Sequence, residues 1–512
     1  MRVVSSPRSA MEPNKSTPET LEAAGPRPDN TVRILTLNCW GLKYLSQHRR
    51  ARLAEIGRRL ATHLPRLDIV GLQECWTYAD YVSIRQQTRH VLPHGKFYHS
   101  GVFGGGLVIL SRWPIDESSM FRYPLNGRPT AFFRGDWYVG KGVACARVRM
   151  PDGQSIEVFN THLHAPYERE PNDSYICHRT AQAWEIAKLM CHARERGSLV
   201  IGLGDFNMVP LSFAHVLVEA RGGVWDVWRT LRPDSSVGAS IDDAERERRS
   251  MLSLPKSPTV EESLRDHGHT CDSVLNTWRW NKAHRRELEK GRDRQVSLRE
   301  KDESAKRLDY IFWGADSELW EIKEALVSMT ERHPTLRCSL SDHFAVEAVI
   351  ERRAPGAPPV EAVQTNGIQG DGNTQGSGGK QMAEHPLTTG CLEDILEMID
   401  RYTLRERKQR RWRLSHFLGS CIVSIGCFIA IWWSPTNYVS FVLILVSSLG
   451  LVAGTLDGLI GGLFVGSELR ALKEFEWEIR NAIQQLGDAV KEERPLGEGY
   501  DREQGLKEEA QN

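Results

Sequence analysis

Residues 31–352 predict an α/β fold, a four-layer α/β sandwich of two packed β-sheets flanked by helices, and a C-terminal two-helix transmembrane hairpin follows. Three observations carry this expectation. At least eight short apolar or alternating runs are interspersed with amphipathic segments, the pattern of sheets covered by helices. Several runs begin or end on carboxylate, imidazole or amide side chains, most clearly in "LGDFN" (203–207) and "SDHF" (341–344). Far downstream, 414–456 contains no Asp, Glu, Lys or Arg.

The first 30 residues are rich in Pro, Ser and charge, lack the apolar stretch of a signal peptide, and are expected to be disordered. "TVRILTLNCW" (31–40) alternates with period two and turns at Gly41. "RRARLAEIGRRLATHL" (49–64) has apolar residues at helical spacing. "DIVGLQE" (68–74) is a short buried strand and "GGLVILSRWPI" (105–115) another. "KGVACARVRM", "SIEVFNTHL", "LVIGLGDFN", "RLDYIFW" and "FAVEAVIE" complete the strand set. "YICHRTAQAWEIAKLMCHARER" (175–196) is a long amphipathic helix. From about 230 to 305 the chain becomes charged and reads as an exposed insertion in the same domain. Within it, "HGHTCDSVLNTW" (267–278) sets two His beside Cys and Asp. That spacing fits no standard zinc pattern, so a structural loop or substrate rim is expected.

Residues 353–385 form a Gly, Pro and Gln linker with nothing to build a core. Residues 386–413 are helical and end in a basic cluster of Arg405, Arg407, Lys408, Arg410, Arg411 and Arg413. Two spans occupy 414–466, broken at "SPTN" and bracketed there by Trp432, Trp433 and Tyr438, as an interfacial aromatic belt would be. Gly450, Gly454, Gly458, Gly462 and Gly466 make a smooth ridge for close helix packing, against the first span or against a second copy in a homo-oligomer. Asp457 lies near the end of its span, where a carboxylate is tolerable. Residues 467–512 read as a charged tail. The basic cluster assigns both flanks of the hairpin to the cytosol. The expectation is an integral membrane protein of the endoplasmic reticulum, or alternatively the mitochondrial outer membrane, with 31–352 cytosolic.

Composition narrows the chemistry. Lys+Arg and Asp+Glu are both 66, so no global electrostatic footprint for nucleic acid exists, and no nucleic-acid partner is expected. Ten cysteines without a C-x-x-C pair read as reduced thiols. Asn38, Glu74, His162, Asp205, Asn207, Asp342 and His343 stand at strand ends, where a buried carboxylate needs a metal or a partner. Together they are an inventory for hydrolysing a phosphate ester with a hard divalent cation.

These motifs ("LTLNCW", "GLQE", "FNTHLH", "GDFN", "SDHF") resemble the endonuclease/exonuclease/phosphatase superfamily. With the hairpin, the arrangement is similar to the neutral sphingomyelinases and the fungal inositol phosphosphingolipid phospholipases C, over roughly 32–350 plus the tail. The resemblance implies Mg²⁺, or Mn²⁺, held by Glu74 with Asn38 and Asp342 nearby. It implies that Asp205 and Asn207 position the attacking water and the phosphoryl oxygens, and that His162 stabilises negative charge. His343 matches the general base and Asp309 the carboxylate that fixes its tautomer. Asp205 is the alternative proton acceptor, and His343 is favoured because imidazole titrates near neutrality. "GDWYVGKG" (135–142) mimics a phosphate-binding loop but ends in Gly142 and runs into a strand, so ATP binding is not expected. The family has a similar segment in which an Asp and a Lys matter. Here these are Asp136 and Lys141, with Lys141 available to the phosphodiester, and a plain hairpin is the alternative.

The expected function is a membrane-anchored phospholipase C releasing ceramide from a phosphosphingolipid in the bilayer, with anionic phospholipids as activators through the basic cluster. The alternatives are a nuclease of the same superfamily and a noncatalytic membrane scaffold. An inositol polyphosphate phosphatase would need "WxGDxNxR" and "PAWCDR", which are replaced here by "GLGDFNMVP" and "RLDYIFW".

Overall fold

A computed structural model describes residues 30–131, 134–168, 173–315, 319–353 and 387–492. The expected disordered N-terminus and the linker lie outside these residues, apart from Asn30 and Arg353. The strands are β1 Thr31–Asn38, β2 Ile69–Gln73, β3 His94–Tyr98, β4 Leu107–Ser111, β5 Ile115–Arg122 and β6 Gly142–Arg149, then β7 Ser155–His162, β8 Leu199–Asp205, β9 Trp225–Asp226, β10 Asp309–Gly314, β11 Trp320–Ser328 and β12 Ala345–Arg352. They form two six-stranded sheets, ordered β11-β12-β1-β2-β4-β3 and β5-β6-β7-β8-β10-β9. Both are mixed, with β1/β2 and β7/β8 parallel. The single strand expected over 105–115 is two. Pro114 lacks the N–H a ladder needs, and the chain crosses there from the first sheet to the second.

Four layers result from period-two burial. Leu35, Leu37, Val70 and Val108 of the first sheet face Leu53, Ile56 and Ile84 of α1 (Arg49–Thr62) and α2 (Tyr78–Thr88). Ile34, Ile69 and Ile109 face Ala144, Val158, Ile201 and Ile311 of the second sheet. After a one-turn helix, α3 (Asp136–Val139), the outer layer is α4 (Ile176–Glu195) and α5 (Phe213–Gly222), whose Trp184, Met190 and Leu217 cover Val200 and Phe312. Each aliphatic side chain so buried contributes roughly 1.5–3 kcal/mol. The charged insertion holds α6 (Val227–Leu231), α7 (Asp243–Met251), α8 (Val260–Arg265) and α9 (Lys282–Glu289). It is not wholly exposed. His269, Thr270, Ser273 and Asn276 are buried.

The C-terminal part is a continuous helical hairpin. α10 (Thr389–Trp432) is a single 44-residue helix, and α11 (Asn437–Leu459) returns beside it into a π-turn (Ile460–Phe464) and α12 (Val465–Glu492). Two stretches of this hairpin are long and apolar enough to cross a membrane. Gly454 and Gly458 of the glycine ridge face Ser420 and Phe417 of α10, and a Cβ on Gly454 would stand 2.4 Å from that of Ser420. The ridge therefore packs on α10 at these positions. Arg413 pairs with Asp457, which also takes His416 Nδ1 at 2.8 Å, and Arg405 pairs with Glu406.

Outside the apolar stretch, the same helices dock on the sandwich. Leu392, Ile395 and Ile399 of α10 and Leu472, Phe475 and Ile479 of α12 join α4 in one core. Under this contact Glu468 Oε1 accepts from Tyr402 Oη at 2.6 Å and lies 2.9 Å from His178 Nε2, with Glu406, Arg405 and Arg128 facing the same pocket. Burial pushes the Glu468 carboxyl up to about 7. The folded protein then holds this proton more tightly than the unfolded chain between about pH 4.5 and 7, so this group adds stability as pH falls through that window. Glu468→Gln, always neutral, should reduce the pH dependence of thermal unfolding between pH 8 and 5.5, to which Glu406, raised by burial to about 7, also contributes. An unchanged dependence would contradict this.

Candidate active site

Strand register assembles the cleft. β7 and β8 run parallel with His162 opposite Asp205, and β10 runs antiparallel to β8 with Asp309 opposite Asp205. Three polar side chains from three strands thus meet at one end of the second sheet. In the first sheet Asn38 ends β1 beside Gln73, and Glu74 follows directly. Ser341 Oγ donates to the Asn38 carbonyl at 2.6 Å, which ties the 341–343 loop to the end of β1. Arg52, fully buried, donates to the carbonyls of Leu340, Cys39 and Trp40 at 2.6, 3.2 and 2.8 Å and locks the same junction.

Asn38 Nδ2 donates to Asp205 Oδ2 at 2.9 Å and to Glu74 Oε1 at 3.3 Å, bridging the two sheets. Glu74 Oε2 is buried with no partner. Burial and the neighbouring Asp342 carboxylate push the Glu74 carboxyl up to about 7. Burial likewise raises Asp342, and lifts Asp205 to about 6. Three crowded carboxylates, Glu74, Asp205 and Asp342, with too few cations describe a site that suits a hard divalent ion.

On the other side of Asp205, His343 Nδ1 stands 2.7 Å from Asp309 Oδ2, while its Nε2 is 3.9 Å from Asp205 Oδ2. Burial opposes the imidazolium, but Asp309 and Asp205 outweigh it and hold His343 well above its ordinary value. Asp205, Asp309 and His343 cluster closely enough to suggest metal ligation. Their geometry fits a hydrogen-bonded relay better, because Nδ1 is committed to Asp309 at hydrogen-bond distance. Thr270 Oγ1 also donates to Asp309 Oδ2, at 2.6 Å.

His162 Nε2 lies 3.5 Å from Asp205 Oδ2, and burial keeps it neutral, well below its ordinary range. Asn207 accepts the left-handed φ of +47°, its amide N–H donates to Asp205 Oδ1 at 2.9 Å, and its Nδ2 donates to the Leu163 carbonyl at 3.1 Å. Lys141 Nζ donates to that same carbonyl at 3.1 Å, so Lys141 and Asn207 flank one wall of the cleft. Gly204 is forced at this corner, since at φ +143° a Cβ would strike the Thr161 carbonyl oxygen at 1.9 Å.

Asp136 stands apart from the ligand cluster. It accepts from Tyr167 Oη at 2.8 Å and lies 3.4 Å from His164 Nε2, opposite the buried ammonium of Lys141. The "GDWYVGKG" segment is one helical turn between Gly135 and Gly140, both at positive φ, leading into β6. The order is helix then strand, the reverse of a phosphate-binding loop. In "HGHTCDS", Ser236 N donates to His267 Nδ1 at 3.2 Å, and Ser236 Oγ lies 2.6 Å from His269 Nε2. These contacts belong to a structural loop. Sequence reading missed Arg52 and Thr270, and it included Ser341 and His164 only as neighbours within "SDHF" and "FNTHLH".

The pattern of the Endonuclease/Exonuclease/phosphatase family matches residues 35–343. The chain is 38% identical over 451 residues to the inositol phosphosphingolipids phospholipase C of Schizosaccharomyces pombe, covering 88% of this chain and 93% of that protein. To the protein of the same name in Saccharomyces cerevisiae it is 32% identical over 487 residues, 89% and 91% of the two chains. To sphingomyelin phosphodiesterase 2 of Homo sapiens it is 36% identical over 201 residues, 39% and 47%.

Proposed function

The chain belongs to the endonuclease/exonuclease/phosphatase family and is a phosphodiester hydrolase, and from that premise we propose a membrane-anchored, Mg²⁺-dependent phospholipase C acting on inositol phosphosphingolipids. The carrying observation is the buried, unpartnered Glu74 oxygen on one side of Asp205 with the His343–Asp309 pair on the other. The name shared by two relatives matched along nearly nine-tenths of this chain supports the substrate class. Sphingomyelin is the second reading, supported by the shorter match to the human enzyme.

Glu74, Asn38 and Asp342 would hold the cation. When bound, it would supply positive charge against the phosphoryl oxygens and Asp205, and so lower the proton affinity of His343. Asp309 fixes the His343 tautomer and leaves Nε2 facing the cleft to take the proton of the attacking water. Asn207 and Asp205 orient that water, neutral His162 donates a hydrogen bond to the phosphoryl or leaving oxygen, and Lys141 adds a buried charge to the same wall. The ceramide oxygen departs and takes a proton from solvent, so ceramide leaves as the alcohol and the head group keeps the phosphate. Purified protein given both lipid classes, with Mg²⁺ and with chelator, tests the reading. Turnover of neither, or turnover undiminished by chelator, would contradict it.

Lys141→Ala should lower kcat by about 10²-fold, the scale for removing one donor to developing charge. Saturable ATP binding by the wild type would instead show that 135–142 was misread.

The hairpin keeps the cleft at a surface its substrate does not leave. We propose the endoplasmic reticulum, with the sandwich cytosolic. Protease protection of the sandwich in sealed microsomes would contradict that topology. Of the basic cluster, Arg407, Lys408, Arg410 and Arg411 are exposed, whereas Arg405 and Arg413 are spent on ion pairs. At about 1 kcal/mol per basic residue near an anionic surface, the four exposed residues are the ones to neutralise. Stimulation by phosphatidylserine or cardiolipin in mixed micelles should disappear while turnover without these lipids is unchanged. Equal stimulation of the variant would refute the lipid role.

A further inference from the structure

The loop between β3 and β4 rims the cleft, since Gly106 packs on the Glu74 backbone and its carbonyl accepts from Cys75 N at 3.0 Å. At its tip Val102 and Phe103 are 75% and 62% exposed. Two large apolar side chains held in water beside an active site ask for a partner.

The position of the tip identifies that partner. The amides of Val102 and Phe103 both donate to the Tyr138 carbonyl, at 2.9 and 3.3 Å, so the tip is fixed to α3. The adjoining Trp137 stacks on Phe464 with centroids 4.5 Å apart. Phe464 sits where the apolar surface of the second span ends, after exposed Leu456, Leu459 and Leu463. A second tie, Arg413 Nη2 to the Thr130 carbonyl at 3.5 Å, joins the same region to the first span.

We infer that the 101–104 loop is an interfacial wedge, with Val102 and Phe103 entering a bilayer at its headgroup–acyl boundary next to the cleft. The inference rests on reading the hairpin as membrane-spanning. The wedge completes a footing of which the spans are the other part, and it turns the cleft mouth toward lipid.

The test uses the full chain reconstituted in phosphatidylcholine vesicles, with photoreactive p-benzoylphenylalanine at position 103, at 298 in the charged insertion, or at 428 in the first span. Lipid labelling at 103 should exceed that at 298 by at least about tenfold and approach that at 428. Labelling at 428 but not at 103 would overturn the wedge alone. Absence of labelling at 428 would overturn the membrane reading and the wedge with it. A crosslinked dimer at 103 in place of a lipid adduct would assign the patch to a second copy and also overturn the wedge. In parallel, the Val102→Ser/Phe103→Ser variant should lose at least about tenfold in kcat/KM on vesicle substrate while staying within twofold on short-chain substrate dispersed in detergent. Equal loss on both, or loss on neither, would overturn the role.

Discussion

Glu74→Ala is expected to abolish measurable turnover at millimolar Mg²⁺, a fall of at least about 10³-fold. The carboxylate stands at a left-handed φ of +54° immediately after β2, held there by the strand rather than by bonds of its own. One oxygen is bridged by Asn38 and the other is buried without a partner. A group in that state costs stability unless a cation completes it. On the proposed assignment, removing it takes away the principal hard ligand and leaves Asp342 and Asn38 without a third. Glu74→Gln keeps the shape and loses the charge, so it should fail almost as badly. The check is an Mg²⁺ activation curve for each variant. Near wild-type activity in either would end the assignment of Glu74 to the metal.

His343→Ala should lose about 10²–10⁴-fold in kcat, the range for one proton-transfer group, with the Mg²⁺ midpoint nearly unchanged. The separation follows from geometry, because His343 Nδ1 is bonded to Asp309 and not available to a cation. Asp309→Asn should lower kcat as well, by removing the charge that fixes the tautomer, and should leave the midpoint where it was. A strong shift of the Mg²⁺ requirement in His343→Ala would favour the Asp205, Asp309 and His343 group as the metal site instead.

Much of the site was legible because it violates the ordinary composition of strands. Carboxylates and imidazoles abutting β-branched runs in "GLGDFN", "FNTHLH" and "SDHF" have no packing reason to be there. Strand order was not legible. That His162 and Asp309 both face Asp205 is a fact of non-local pairing, which neither periodicity nor spacing encodes. Thr270 was hidden by its charged surroundings, since "DDAERERR" and "RRELEKGRDRQ" made the whole insertion look solvated while its middle returns to Asp309. The segment after 466 misled for a similar reason. Its charges drew attention away from Leu469, Leu472, Phe475 and Ile479, an i, i+3, i+4 stripe that docks on α4. Membrane-length helices were easy to see because 43 consecutive residues without a charged side chain have few other uses.

The most direct test of the central claim is hydrolysis of an inositol phosphosphingolipid in ¹⁸O-enriched water with mass analysis of both products. In-line attack of water on phosphorus predicts one ¹⁸O in the phosphorylated inositol and none in the ceramide hydroxyl. Label in the ceramide hydroxyl, or release of ceramide phosphate with free inositol, would contradict it.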